Sequence, residues 1–263
     1  MNHFRKHGSP PFKVVILHGG PGAPGSMKDP ATVLSTRMGI LEPLLTQLSV
    51  KGQLEELYEI IITYGNPPVK LAGHSWGAWL AFIAAAGYPA IVDKLILIGA
   101  GSFDPLYTAD LMKTRSERLS EKENDEAAIL SALVQQGSAS DSDFRRFGEL
   151  MSRADSYDCD DAEQRDLKFY PEVYNAVWKE AEKMRNKGEL LALGEKITCP
   201  VIAIHGLYDP HPAEGVERSL KKVLHDFRFI VLEKCGHYPW HERYAKHNFY
   251  AIMEKELGDY PDH

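Results

Sequence analysis

One pentapeptide limits what this chain can become. Gly73-His74-Ser75-Trp76-Gly77 matches G-x-S-x-G, a turn in which a serine leaves the end of a strand and opens a helix. The serine there sits in a strained backbone conformation. Side chains at the two glycine positions would collide with the neighbouring strand and helix. The pattern also arises by chance, so its surroundings decide. Before it stands Pro68-Val69-Lys70-Leu71-Ala72, a short apolar run that reads as a buried strand. After it stands Ala78-Trp79-Leu80-Ala81-Phe82-Ile83-Ala84-Ala85-Ala86, a buried helix that stops at Gly87 and Pro89. Strand, tight turn and helix are the setting the motif requires, and they make Ser75 a candidate nucleophile rather than a surface serine at a helix entrance.

The same alternation extends along the chain. Residues 1–12 read as a loose lead-in, and Lys13-Val14-Val15-Ile16-Leu17 as a strand buried on both faces. That strand runs into His18-Gly19-Gly20-Pro21-Gly22, a loop whose glycines let backbone N–H groups point outward. Residues 30–38 suggest a short helix and 39–44 a short strand. Ser49 can cap a helix over 50–63, with Leu54, Leu57, Tyr58 and Ile61 on one face. Lys94-Leu95-Ile96-Leu97-Ile98, Pro200-Val201-Ile202-Ala203-Ile204 and Phe227-Arg228-Phe229-Ile230-Val231-Leu232 read as further strands. Pro239 is expected to open a closing helix that reaches about Leu257. Strands alternating with helices imply a mostly parallel α/β sheet with right-handed crossovers. Residues 103–187 break the pattern. They are charged and helical, and residues 115–126 read as a solvated helix face. A helix starts at Tyr170-Pro171, and a polar loop over 154–166 reads as mobile. The expected organisation is a core of residues 1–102 and 188–263 with a helical cap, 103–187, inserted in it.

Composition narrows the partners. A formal net charge of −7 argues against nucleic acid and against an anionic membrane surface. Cys159, Cys199 and Cys235 are few, odd in number and far apart, so neither a disulfide framework nor a metal clip is indicated. The basic N-terminus has no apolar stretch behind it, and no run is long enough to span a bilayer. The expectation is a soluble cytoplasmic protein.

In an open parallel sheet, sites form outside the carboxyl ends of the strands. Four such ends carry useful chemistry: His18-Gly19-Gly20, Ser75, Asp209 and His237. The chain order is serine, acid, histidine. These motifs together resemble the α/β-hydrolase fold from about Phe12 to Leu257. The glycine loop, the Ser75-Trp76 pair and His205-Gly206-Leu207-Tyr208-Asp209 are similar to its proline iminopeptidase branch, which removes N-terminal proline from peptides. The chain departs from that branch in two ways. The first two strands of the family have no room before Lys13, so about six strands are expected. Ile40-Leu41-Glu42-Pro43-Leu44 also stands where the branch has an Asp-x-Arg-Gly-x-Gly stretch.

The chemistry suggests a role for each residue. Ser75 attacks, His237 takes its proton, and Asp209 orients the imidazole, with Asp104 as a rival acid. Backbone N–H groups of Gly20 and Trp76 would face an oxyanion. His18 and His74 read as structural, and His205, His211 and His241 as ordinary polar residues. His237 and His241 are poorly placed for a metal pair with Pro239 between them, and no metal or cofactor is expected. Trp178 and Tyr174 could line a pocket or pack the cap. The reading is a serine hydrolase acting through an acyl-enzyme on a small ester, amide or short peptide. The alternative is a ligand-binding or signalling protein on the same scaffold. A peptidase would also need cap acids such as Glu117, Glu163 or Glu172 to meet the substrate ammonium.

Overall fold

A computed structural model describes residues 3–159 and 169–258. In chain order the elements are β1 (Phe4–His7), β2 (Val14–Leu17), α1 (Lys28–Leu34), β3 (Ile40–Pro43), α2 (Val50–Tyr64), β4 (Val69–His74), α3 (Trp76–Gly87) and β5 (Val92–Ile98). Next come α4 (Thr108–Arg118), α5 (Glu121–Gln136), α6 (Asp141–Asp155), α7 (Pro171–Asn186) and α8 (Glu189–Ala192). The chain closes with β6 (Val201–Gly206), α9 (Ala213–Leu220), β7 (Phe227–Leu232) and α10 (Lys246–Leu257).

The strands form one sheet in the order β1-β3-β2-β4-β5-β6-β7. All pairs are parallel except β1 with β3. The sheet therefore has seven strands, not six. The extra one lies in the segment expected to be a loose lead-in, where Phe4 pairs with Pro43 and His7 with Ile40. Its charged, half-exposed sequence hides it. Glu42, fully buried on β3, provides the complement by bonding His7 at 2.8 Å.

Period-two alternation distributes the apolar residues to both faces. Val15, Leu17, Leu71, Leu95, Leu97 and Ala203 join one cluster with α2, α3, α7 and α9. Val14, Ile16, Ala72, Ile96, Ile98 and Ile204 join the other with α1 and α10. Between β5 and β6 the helices divide. Helices α5 and α6, with Leu119, pack around a small core of their own. Helix α7 instead packs on the main core. Trp178 stacks on Trp79 of α3 at 5.6 Å, and Tyr174 stacks on Trp178 at 6.1 Å.

Three local expectations change. The charged stretch 115–126 is two helices, because Ser120 starts α5 with a reciprocal capping box to Glu123. Of the expected loop over 154–166, Ala154 and Asp155 close α6, and residues 160–168 lie outside the described residues. Pro239 does not open a helix. Residues 239–245 turn, and α10 begins at Lys246. No helix among the described residues is long and apolar enough to cross a membrane.

Helix α2 is capped by Ser49, whose side chain accepts from Gly52 N. It holds the site from behind. Its fully buried Gln53 accepts from Trp76 Nε1 at 3.0 Å and donates to Gln47 O at 3.1 Å. Gln53→Ala would leave a buried indole N–H without a partner, at a cost of about 1–3 kcal/mol. The expected result is a lower urea midpoint with an unchanged slope; an unchanged midpoint would contradict this packing account.

Candidate active site

Ser75 has φ 52° and ψ −112°. A non-glycine residue there costs about 1–3 kcal/mol and persists only where its surroundings fix it. Its N–H donates to Ile98 O of β5 at 2.9 Å. The two flanking glycines permit backbone to approach backbone. A Cβ at Gly73 would lie 2.1 Å from Gly77 O, and one at Gly77 would lie 2.5 Å from His18 O. The ends of β2 and β4 and the start of α3 are thereby locked together. The glycine loop lies against the serine, since a methyl at Gly19 would sit 3.4 Å from Ser75 Cβ. Gly20 adopts φ 56° and turns the loop through a bond from Ala23 N to Gly20 O at 3.0 Å. Gly22 O accepts from Tyr170 N at 2.7 Å, which joins this loop to the start of α7.

Asp209 follows β6 and His237 follows β7, and both are buried. His237 Nδ1 lies 2.7 Å from Asp209 Oδ2. An ionised carboxylate only accepts, so Nδ1 carries the proton and the neutral ring keeps Nε2 free to accept one. His74, the residue before the serine, donates from Nε2 to His237 O at 2.9 Å, with the two rings 4.6 Å apart. Asp104, the rival acid, instead accepts from Leu106 N at 2.9 Å and caps a turn.

Sequence reasoning missed His211. Its Nδ1 donates to Asp209 Oδ1 at 2.8 Å, its backbone N–H to the same oxygen at 2.9 Å, and its ring stacks 4.7 Å from that of His237. The available signal was local: an Asp side chain readily accepts from the amide two residues on. His205, also read as ordinary, donates to His211 O at 2.8 Å and supports the turn. Asp209, His211 and His237 bring one donor atom each within 4.8 Å of one another, and His241 takes no part in that group. The two imidazole hydrogen bonds to Asp209 account for the arrangement.

The electrostatics follow from burial and this one carboxylate. Burial would raise the Asp209 carboxyl, but His237, then His211 and His205, hold it well below the usual carboxylate range. Burial would lower His237, but the charge and hydrogen bond of Asp209 raise it above the ordinary histidine value. Burial dominates at His74, aided by the neighbouring His237, and holds it well below that value. It also lowers His211, against the attraction of Asp209, and His18. Stability conferred by His18, His74 and His211 is therefore present above about 6.5 and lost as pH falls. The contribution of His237 has the opposite sign: it is present below that value and lost as pH rises through the folded pKa. That of Asp209 is lost only in stronger acid. As pH falls from 7.5 to 5.5, His18, His74 and His211 therefore act against stability and His237 acts for it.

The profile of the alpha/beta hydrolase family matches residues 14–246. A proline iminopeptidase of Heyndrickxia coagulans is 25% identical over 251 residues, covering 87% of this chain and 85% of the relative. The crystal structure of VinJ superposes with a TM-score of 0.68 at 19% identity, over 97% of this chain and 93% of that one. A thermophilic esterase from Thermogutta terrifontis superposes with a TM-score of 0.65 at 19% identity, over 97% and 92%. The seven-stranded sheet, the serine turn and a family match over most of its length agree: the chain belongs to the alpha/beta hydrolase family, and a hydrolytic role is the one that membership supports.

Proposed function

We propose that the chain is a serine hydrolase working through an acyl-enzyme on a small ester, amide or short peptide. The observation that carries this reading is the 2.7 Å hydrogen bond between His237 and Asp209, at the same sheet edge as the strained Ser75. Ser75 is the nucleophile. His237 Nε2 takes its proton and later returns one to the leaving group. Asp209 holds the tautomer and stabilises the imidazolium. The tetrahedral oxyanion is met by the N–H groups of Gly20 and Trp76. Trp76 supports that role as the first residue of α3, where amide N–H groups lack partners within the helix. Residues 103–187 form the cap that chooses the substrate, and the Tyr170–Gly22 bond sets it against the oxyanion loop. No disulfide joins Cys159, Cys199 and Cys235, which supports a reducing, cytoplasmic setting.

Esterase and aminopeptidase remain rivals within this reading. The Heyndrickxia coagulans relative speaks for the peptidase. Against it, Glu117 is exposed and pairs with Lys113 at 3.9 Å, and Glu172 is exposed at the start of α7. Glu163 lies outside the described residues. Cleavage of a prolyl arylamide assigns the peptidase. Its absence at high enzyme concentration, with short-ester turnover intact, assigns the esterase.

A fluorophosphonate probe should label wild type at Ser75 and leave Ser75→Ala unlabelled. Folded wild type that resists labelling would overturn the hydrolase reading in favour of a binding protein. Asp209→Asn should lower kcat by about 10⁴-fold, the loss expected when the orienting carboxylate becomes an amide. Because Asp209 raises His237, kcat/KM should fall in acid with a midpoint above about 6.5. The same substitution should move that midpoint down. A midpoint that does not move would contradict the pairing.

A further inference from the structure

The loop that carries His237 is fastened to the segment after α6, and the fastening passes through one carboxylate. Glu242 is fully buried. Its Oε1 accepts the amide N–H groups of Tyr157 and Gly236, each at 2.8 Å, and its Oε2 accepts that of Asp158 at 2.8 Å. Two of these donors follow α6, and the third immediately precedes His237. Beside them, His237 N–H donates to Asp155 O at 2.8 Å, and Arg243 N–H donates to Asp158 O at 3.0 Å. Gly236 makes the approach possible, because a Cβ there would lie 2.1 Å from Asp155 O and 2.8 Å from Glu242 Oε1. The Asp155 carboxylate is held in turn by Arg115 of α4, with Nε on Oδ1 at 2.7 Å and Nη2 on Oδ2 at 2.6 Å. Charge-assisted bonds of this kind are stronger than neutral ones and specify geometry.

We infer that Glu242 is a positioning residue for His237. It joins residues 155–158 of the cap to Gly236 and His237, so that cap and base are held as one body. The inference rests on the reading of His237 as the base. Glu242→Gln keeps one carbonyl oxygen for Tyr157 and Gly236 but turns an amide N–H₂ towards the Asp158 donor. Tyr157→Pro removes one donor, and Tyr157→Ala, which loses the same ring contacts to Tyr208 and Tyr244 at 5.2 and 6.2 Å but keeps the donor, is its reference. Its predecessor already has the extended backbone that a proline demands, Ser156 at φ −106° and ψ 147°.

The test measures 4-nitrophenyl acetate turnover and the downfield proton NMR signal of His237 Nδ1–H in wild type, both variants, Tyr157→Ala, Ser75→Ala and a Ser120→Ala control. Glu242→Gln should lower kcat about 10- to 100-fold, the order expected for a small misplacement of a reacting group, with KM changed less than about threefold. The downfield signal should broaden or vanish. Measured against Tyr157→Ala, Tyr157→Pro should move both readouts the same way by less, and that comparison decides the matter if Glu242→Gln does not fold. Ser120→Ala should lower the melting temperature with kcat within about twofold of wild type, separating positioning from general destabilisation. Wild-type turnover that survives Ser75→Ala would overturn the nucleophile reading. Ser75-dependent turnover, with the folded variants within about twofold of wild type and an unchanged NMR signal, would overturn the inference about Glu242 alone.

Discussion

A serine held at φ 52° survives only where the chain around it cannot relax. Here β4 lies between β2 and β5 in the middle of the sheet, paired along its length on both sides. The turn after it is closed by Ser75 N–H on Ile98 O and by backbone contacts that only glycine at 73 and 77 permits. The rest of the site is arranged about that fixed point. The glycine loop after β2 rests on the serine, and His74 reaches from the same turn to the backbone of His237.

A second constraint is electrostatic. Asp209 is a buried carboxylate with two imidazoles hydrogen-bonded to its two oxygens. The pair with His237 raises that histidine, whereas burial outweighs attraction at His211 and keeps it the poorer proton acceptor. Two like residues beside one charge thus acquire different proton affinities from their surroundings.

The sequence was most legible where apolar runs end in glycine, serine or histidine. The parallel strands, the serine turn and the family all follow from such endings. It was least legible where a residue acts through a partner far along the chain. Strand β1 was hidden because Arg5 and His7 are answered by buried Glu42 on β3, some way along the chain. The turns after Pro239 replace a helix because Glu242 points inward to amides from Tyr157, Asp158 and Gly236, a use no local pattern announces. The break between α4 and α5 was different. Ser120 and Glu123 spelled out a capping box, and the density of charge around them obscured it.

Segments between β5 and β6 meet the loops of the sheet edge at two places, through Tyr170 N–H on Gly22 O and through the amides of Tyr157 and Asp158 on Glu242. On the proposed reading, substrate selection and base placement share that framework. The central claim is that Ser75 forms a covalent acyl intermediate. Mixing the protein with 4-nitrophenyl acetate, quenching in acid within the first turnovers and measuring intact and peptide masses tests it directly. An acetyl adduct on the peptide containing Ser75, appearing before steady state and decaying as ester is consumed, is the expected result. Ester consumed with no adduct on Ser75 at any time would contradict the account.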